Sequence, residues 1–213
     1  VRDSPRFGLQ VLLRQGVTQN AESGSSAFIE ARLESRDCSP RTIEACYGLT
    51  GGEAKRYLGY GLSPSQALGY WVAGVRAFLA ATGVLLAVKG AGLTPVRLKV
   101  PMSIRRGLTD GLGLATFTAR HDLCWDLKSL LPFSKWVELD GGAVKGFFLV
   151  TLSERIRPRG FAWHVPEKVL LNWRDERFSL DFQTFACLRL LTDFSSCRSL
   201  LSEYAAQSPF WGK

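Results

Sequence analysis

A chain of 213 residues, 46% hydrophobic and 22% charged, carries enough apolar surface to bury a core, which excludes disorder and a coiled coil. Its 27 Lys and Arg against 19 Asp and Glu leave a formal charge of +8 and a pI near 9.5. That excess favours anionic partners, nucleic acid or a membrane surface, and is silent about the fold.

Taken in chain order, residues 7–17 and 27–35 read as two strands of a hairpin. Phe28, Glu30, Arg32 and Glu34 alternate with Ile29, Ala31 and Leu33, and the polar stretch 18–26 supplies the turn. Ser39-Pro40 and Ser63-Pro64 each place a serine cap before a proline at the first helical position. The first helix ends near Gly48 or Gly51-Gly52 and continues briefly through 53–58. The second runs from 64 to about 89. Within it, residues 69–88 carry Arg76 as their single charge. That length suits a bilayer span, but a mid-span arginine costs about 2.5–3.5 kcal/mol on insertion scales. A core helix buried on most sides explains the same run, and is the reading adopted.

From residue 92 the texture turns to β. Segments 95–100, 112–119, 135–139, 145–153, 160–165, 168–173 and 178–182 read as strands, with turns at Asp110-Gly111, Asp140-Gly141-Gly142 and Arg157-Pro158. A short helix capped by Asp122 interrupts them at 122–131. An amphipathic helix at about 185–206 closes the chain, with Leu188, Leu191, Phe194, Leu201 and Tyr204 mostly on one face. Strands grouped around segregated helices predict an α+β fold: a mainly antiparallel sheet, a long, largely buried central helix and an amphipathic C-terminal helix. One domain, 1–213, is expected, with a soft boundary near 90–94.

Arg155, Arg157 and Arg159 alternate, and Phe161 and Trp163 continue the same period, so one extended strand would present three guanidiniums and then two rings on one face. That pattern suits phosphates and stacked bases. Arg97, Lys99, Arg105 and Arg106 border the glycine-containing stretch 107–113, whose spacing matches no phosphate-loop motif. Arg2, Arg6, Arg14, Arg174 and Arg177 add scattered charge. The carboxylates Glu30, Glu34, Asp175 and Glu176 lie in charged surroundings and read as surface.

The cysteines Cys38, Cys46, Cys124, Cys187 and Cys197 are odd in number and show no CxxC spacing, which indicates a reducing, intracellular compartment, an organelle matrix included. The opening Val1 fits a removed presequence or a trimmed segment, and the first residues do not read as a signal peptide. With His121 and His164 alone, and His121 three residues before Cys124, no metal site and no cofactor are expected.

Cys124-Trp125 at the start of the predicted 122–131 helix, followed by Ala162-Trp163-His164 on a predicted strand, resembles the small papain-like leader proteases of positive-strand RNA viruses. The ending Phe210-Trp211-Gly212 is similar to the small-residue termini that such proteases leave. The resemblance implies an autoprocessing protease with Cys124 as nucleophile and His164 as base, and Asn172, Asp175 or Asp181 as candidates for the residue that orients the histidine.

The sequence thus favours a non-enzymatic basic subunit of a larger assembly, a ribonucleoprotein particle, that binds RNA or another polyanion. Arg155, Arg157, Arg159, Phe161, Trp163, Arg97, Lys99, Arg105 and Arg106 are the candidate contacts, and other subunits are further partners. The alternatives are the Cys124/His164 protease and a membrane-complex subunit with 69–88 in or near the bilayer.

Overall fold

The computed structural model of the chain describes residues 1–15, 27–59, 61–108, 112–137, 144–153, 156–175 and 179–207. In order these form β1 (Arg2–Ser4), β2 (Gly8–Arg14), α1 (Pro40–Glu44), β3 (Cys46–Tyr47), α2 (Gly51–Leu58), α3 (Pro64–Thr82), β4 (Val84–Lys89), β5 (Thr94–Lys99), α4 (Met102–Leu108), α5 (Leu112–Arg120), β6 (Leu123–Asp126), β7 (Leu131–Val137), β8 (Val144–Leu149), β9 (Phe161–His164), α6 (Pro166–Arg174), α7 (Phe182–Leu191) and α8 (Cys197–Gln207). Short 3-10 turns occupy Ser35–Cys38 and Leu127–Ser129. The fold is α+β with mainly antiparallel sheets, as expected. The chain forms two compact units, one of Ala31–Leu149 and one of Val1–Glu30 with Val150–Pro209.

The unit of 31–149 is organised by α3. Ser63 caps it: its Oγ accepts from the Gln66 amide at 3.2 Å, and the Gln66 side chain accepts from the Ser63 amide at 2.8 Å. This reciprocal box and Pro64 at the first helical position satisfy the orphan donors of the first turn. Trp71, Val72, Val75 and Leu79 are fully enclosed, each worth roughly 1.5–3 kcal/mol of burial. The Trp71 indole N–H donates to the Leu130 carbonyl at 3.1 Å, so the largest core side chain leaves no polar atom unmet. Gly74 lets Leu130 close on the helix: a Cβ there would stand 2.6 Å from its Cδ2.

The apolar run 69–88 is not one helix. Gly83 adopts the left-handed conformation, with φ 71°, and its amide donates to the Leu79 carbonyl at 2.8 Å, which ends α3. Val84–Lys89 continues as the strand between β5 and β6. Its β-branched, apolar sequence is buried throughout except at Lys89, as a central strand requires. Among the described residues no helix is long and apolar enough to cross a membrane. The four-stranded sheet runs β3-β6-β4-β5; β4 pairs antiparallel with β5 and β6, while β3 lies parallel to β6, Cys46 opposite Trp125. β7 and β8 form a separate antiparallel pair.

Mid-helix, the Arg76 guanidinium meets the turn that precedes α1. Its Nε donates to Asp37 Oδ1 at 3.0 Å, its Nη2 to Asp37 Oδ2 at 2.9 Å and to the Arg32 carbonyl at 3.0 Å, and its Nη1 pairs with Glu34 at 3.1 Å. Asp37 is fully enclosed, so the fork-on-fork geometry offsets the desolvation of both charges.

The other unit is a three-stranded antiparallel sheet, β1-β2-β9, with α6, α7 and α8. Leu9, Val11, Leu12 and Leu13 of its central strand are buried. Asp181 caps α7 through the Thr184 amide at 2.7 Å, and the Cys197 amide at the start of α8 donates to Asp3 at 2.7 Å.

Several sequence expectations are corrected here. Residues 27–34 form no strand, and β2 pairs instead with β1 and β9. Residues 112–120 are helical, because Leu114, Ala115 and Thr118 bury one face. Residues 123–126 are a strand, and Asp122, at φ 52°, turns the chain into it rather than capping a helix. Residues 166–174 are helical behind Pro166 at the first position, residues 179–181 form no strand, and the C-terminal helix is two, broken at 192–196. The expected turns at Asp110-Gly111 and 140–142 and the hairpin tip 18–26 lie outside the described residues.

Replacing Asp37 by Asn leaves the buried Arg76 without its main counter-charge. We expect Asp37→Asn to lower unfolding stability by about 3 kcal/mol in urea denaturation; a loss below about 1 kcal/mol would show that the pair is dispensable.

Candidate functional site

The arginine and aromatic stretch does not build the face that its alternation suggested. Arg155 lies outside the described residues. Arg157 and Arg159 are exposed, but Pro158 between them is buried, and a turn closes behind them: the Phe161 amide donates to the Pro158 carbonyl at 3.3 Å, with Gly160 at φ 79°. The strand begins only at Phe161, so the arginines do not share its register. Trp163 donates its indole N–H to the Ile156 carbonyl at 3.0 Å, and the Arg2 guanidinium lies 4.3 Å from its ring centre. Both Phe161 and Trp163 are half-buried in the ladder with β2. The ring offered for base stacking is thus already covered by a cation of its own unit.

Cys124 and His164 fall in different units. Cys124 sits within β6, where Leu123–Asp126 is extended, so it does not open a helix as expected. Beside it in the sheet, Cys46 is pushed up to about 12 by burial and by Cys124. His164 pairs with Val11 inside β9, and burial lowers its pKa. The residues 210–212 lie outside the described part.

The remaining basic candidates lie in the unit of 31–149. Arg97 and Lys99 are both exposed, two apart on β5, the edge strand of the four-stranded sheet, and so point to one face. Arg105 lies on α4, with its Nη1 2.9 Å from where a Gly83 Cβ would stand, beside the negative end of α3. Arg106 belongs to α4, and its side chain is outside the described part.

Arg97 reaches a hydroxyl and a carboxylate that sequence reasoning missed. Its Nη2 donates to Ser129 Oγ at 2.8 Å, and its Nη1 lies 3.5 Å from Asp126 Oδ2. Ser129 Oγ donates in turn to Asp126 Oδ2. Asp126 ends β6 and is buried; Ser129 closes the 3-10 turn that follows; Arg97 arrives from β5 across β4. The result is a hydroxyl held between an acceptor and a cation, with the exposed Lys99 on the same strand face as Arg97. The Asp-x-x-Ser spacing at 126–129 was the available signal, hidden by the assignment of that segment to a helix.

Metal ligation finds no comparable arrangement. Among the described residues no group of three or more His, Cys, Asp or Glu side chains is placed to hold an ion.

No protein-family model and no curated protein matches the chain. The fold does: it is similar to the crystal structure of a NUDIX hydrolase from Alicyclobacillus acidocaldarius, at a TM-score of 0.70 and 19% identity, over 94% of this chain and 91% of that one. The expectation of a non-enzymatic, RNA-binding subunit of a ribonucleoprotein particle is corrected by this finding, since the fold shared over nearly the whole of both chains is one that carries a hydrolase. The broken register of Arg157 and Arg159 and the covered Trp163 also show that the described part of this stretch does not present the shared strand face that the alternation suggested.

The histidine gives a pH test of the second unit. Because burial lowers its folded pKa, His164 binds its proton less tightly folded than unfolded. Its contribution to stability is therefore complete above about pH 6.5 and is lost as pH falls below that value. We expect the melting temperature of the native chain to fall more between pH 7.5 and pH 5.5 than that of His164→Gln; equal falls would show that the ring stays hydrated.

Proposed function

We propose that the chain is a hydrolase of an anionic small molecule, with Asp126, Ser129, Arg97 and Lys99 forming its reacting edge. The observation that carries this reading is the likeness to the NUDIX hydrolase fold over almost the full length of both chains. The local chemistry supports it. Arg97 and Lys99 are exposed cations on one strand face, suited to a phosphate or carboxylate group of the substrate. Ser129 is already polarised: its proton points to Asp126 while its oxygen accepts from Arg97.

In that arrangement Asp126 is the proton acceptor. An oxygen that attacks from the Ser129 position, the side chain's own or a water in its place, passes its proton to Asp126 Oδ2 as the bond to the electrophilic centre forms. Arg97 stabilises negative charge that develops there. The bond to the leaving group breaks as it departs towards the exposed side of β5, taking up the proton held by Asp126. Where the serine itself attacks, water then adds at the same centre, passes a proton to Asp126 and displaces Ser129, which recovers that proton as product leaves.

The test is a panel of phosphomonoesters, phosphoanhydrides and charged carboxylic esters, assayed for product release above the buffer rate. At least one is expected to turn over, with kcat/KM reduced by about 10²–10⁴ in Asp126→Asn. Arg97→Ala should lower kcat more than it raises KM, because the charge it offsets develops in the transition state. Ser129→Ala separates the two attacking oxygens: a rate equal to that without protein assigns attack to the serine, and a measurable residual rate assigns it to water. No turnover of any class would sink the hydrolase reading.

A further inference from the structure

Hydrolases of phosphate compounds commonly draw on a divalent cation held by clustered carboxylates, which polarises the substrate and activates water. The residues around the central helix do not fit such an ion. The sequence Pro64–Thr82 contains no Asp or Glu at all. Among the described residues, Asp37 and Glu34 reach α3 from outside it, and both pair with Arg76, Glu34 with Arg36 as well. Asp37 accepts from Arg76 through each oxygen, and its Oδ2 accepts additionally from the Glu34 amide at 2.9 Å. A divalent ion bound there would displace those donors and sit against a guanidinium in a buried setting, where like charges repel strongly.

Two further carboxylates of this unit, Glu53 and Asp126, are also committed. Glu53 closes the capping box of α2, accepting from the Thr50 amide and hydroxyl at 2.8 Å each, and that backbone bond holds its carboxyl below the usual range. Asp126 is bound to Ser129 and faces Arg97. The positive charge of this unit is supplied by side chains: Arg76 inside, Arg97 and Lys99 at the edge.

We infer that Arg76 stands in place of a metal at the Asp37–Glu34 pair, and that hydrolysis by this chain, which rests on the function proposed above, needs no divalent cation on α3. The acid pair is a cation site already filled by the protein's own guanidinium.

The experiment titrates the full chain with Mn²⁺ and Mg²⁺, reading free Mn²⁺ by electron paramagnetic resonance and stability by thermal melting, with a parallel assay of the best substrate with and without EDTA. The expected result is an unchanged free-ion signal and melting temperature up to millimolar metal, and a rate that EDTA does not alter. Uptake of about one Mn²⁺ per chain that disappears in Glu34→Gln, a variant altered only at the half-exposed partner, overturns the inference, as does a rate abolished by EDTA and restored by Mg²⁺. A chain that binds no metal and hydrolyses nothing leaves the inference about Arg76 standing and removes the proposed function, so the two fail separately.

Discussion

A single guanidinium sets where the central helix can lie. Arg76 has its Nε, Nη1 and Nη2 directed at the segment 32–37, and Asp37 beneath it is wholly enclosed. An ion pair of this kind contributes little net stability beside an apolar pair of equal shape, because both charges give up water. What it does is forbid alternatives: any slide or rotation of α3 strands a charge in the core. With the helix so fixed, Trp71 meets the Leu130 carbonyl, Gly74 meets the Leu130 side chain, and Gly83 delivers the chain into the middle of the sheet.

The sheet's polar edge follows from that delivery. β4 enters directly from Gly83 and takes β5 on one side and β6 on the other. Arg97 therefore lies across β4 from the end of β6, where the chain turns through Leu127–Ser129. The hydroxyl of Ser129 and the carboxylate of Asp126 are brought under the guanidinium by the strand order, not by proximity in sequence. A site of this kind depends on the register of three strands, and a shift of one residue in β5 would turn Arg97 to the opposite face.

How much of this the residues announce in advance varies with the kind of signal. Ser39-Pro40 and Ser63-Pro64 mark two helix starts because a cap acts within four residues, and both stand in the structure. The runs in β2, β5, β7, β8 and β9 are legible for the same reason: alternation and β-branching are local. Leu112–Arg120 and Pro166–Arg174 are not, since short segments rich in Thr, Phe, Val and Trp favour strands until packing decides; Trp125 donating to Thr118 at 3.3 Å is the tertiary contact that overrides propensity in the first. The run 69–88 misleads through composition, for a buried helix and a buried strand are equally apolar and only the positive φ of Gly83 divides them. The arginine alternation at 155–159 misleads because Pro158 starts a turn, and a turn erases the two-residue period that the reading assumed. The candidate site shows the limit of such inference: Arg97 was visible as a charge, whereas its partners were set by the pairing of β4 with β5 and β6.

The Asp3 carboxylate that receives the Cys197 amide lies 194 positions before it. The unit containing it is assembled from Val1–Glu30 and Val150–Pro209, while Ala31–Leu149 of the other unit is one unbroken stretch. During synthesis that stretch can close first, its four-stranded sheet complete once β6 has emerged. The strand β2, carrying Leu9, Val11, Leu12 and Leu13, must wait for β9 with one edge unpaired and its leucines wet. That interval makes the beginning of the chain its chief hazard for misassembly with neighbouring copies.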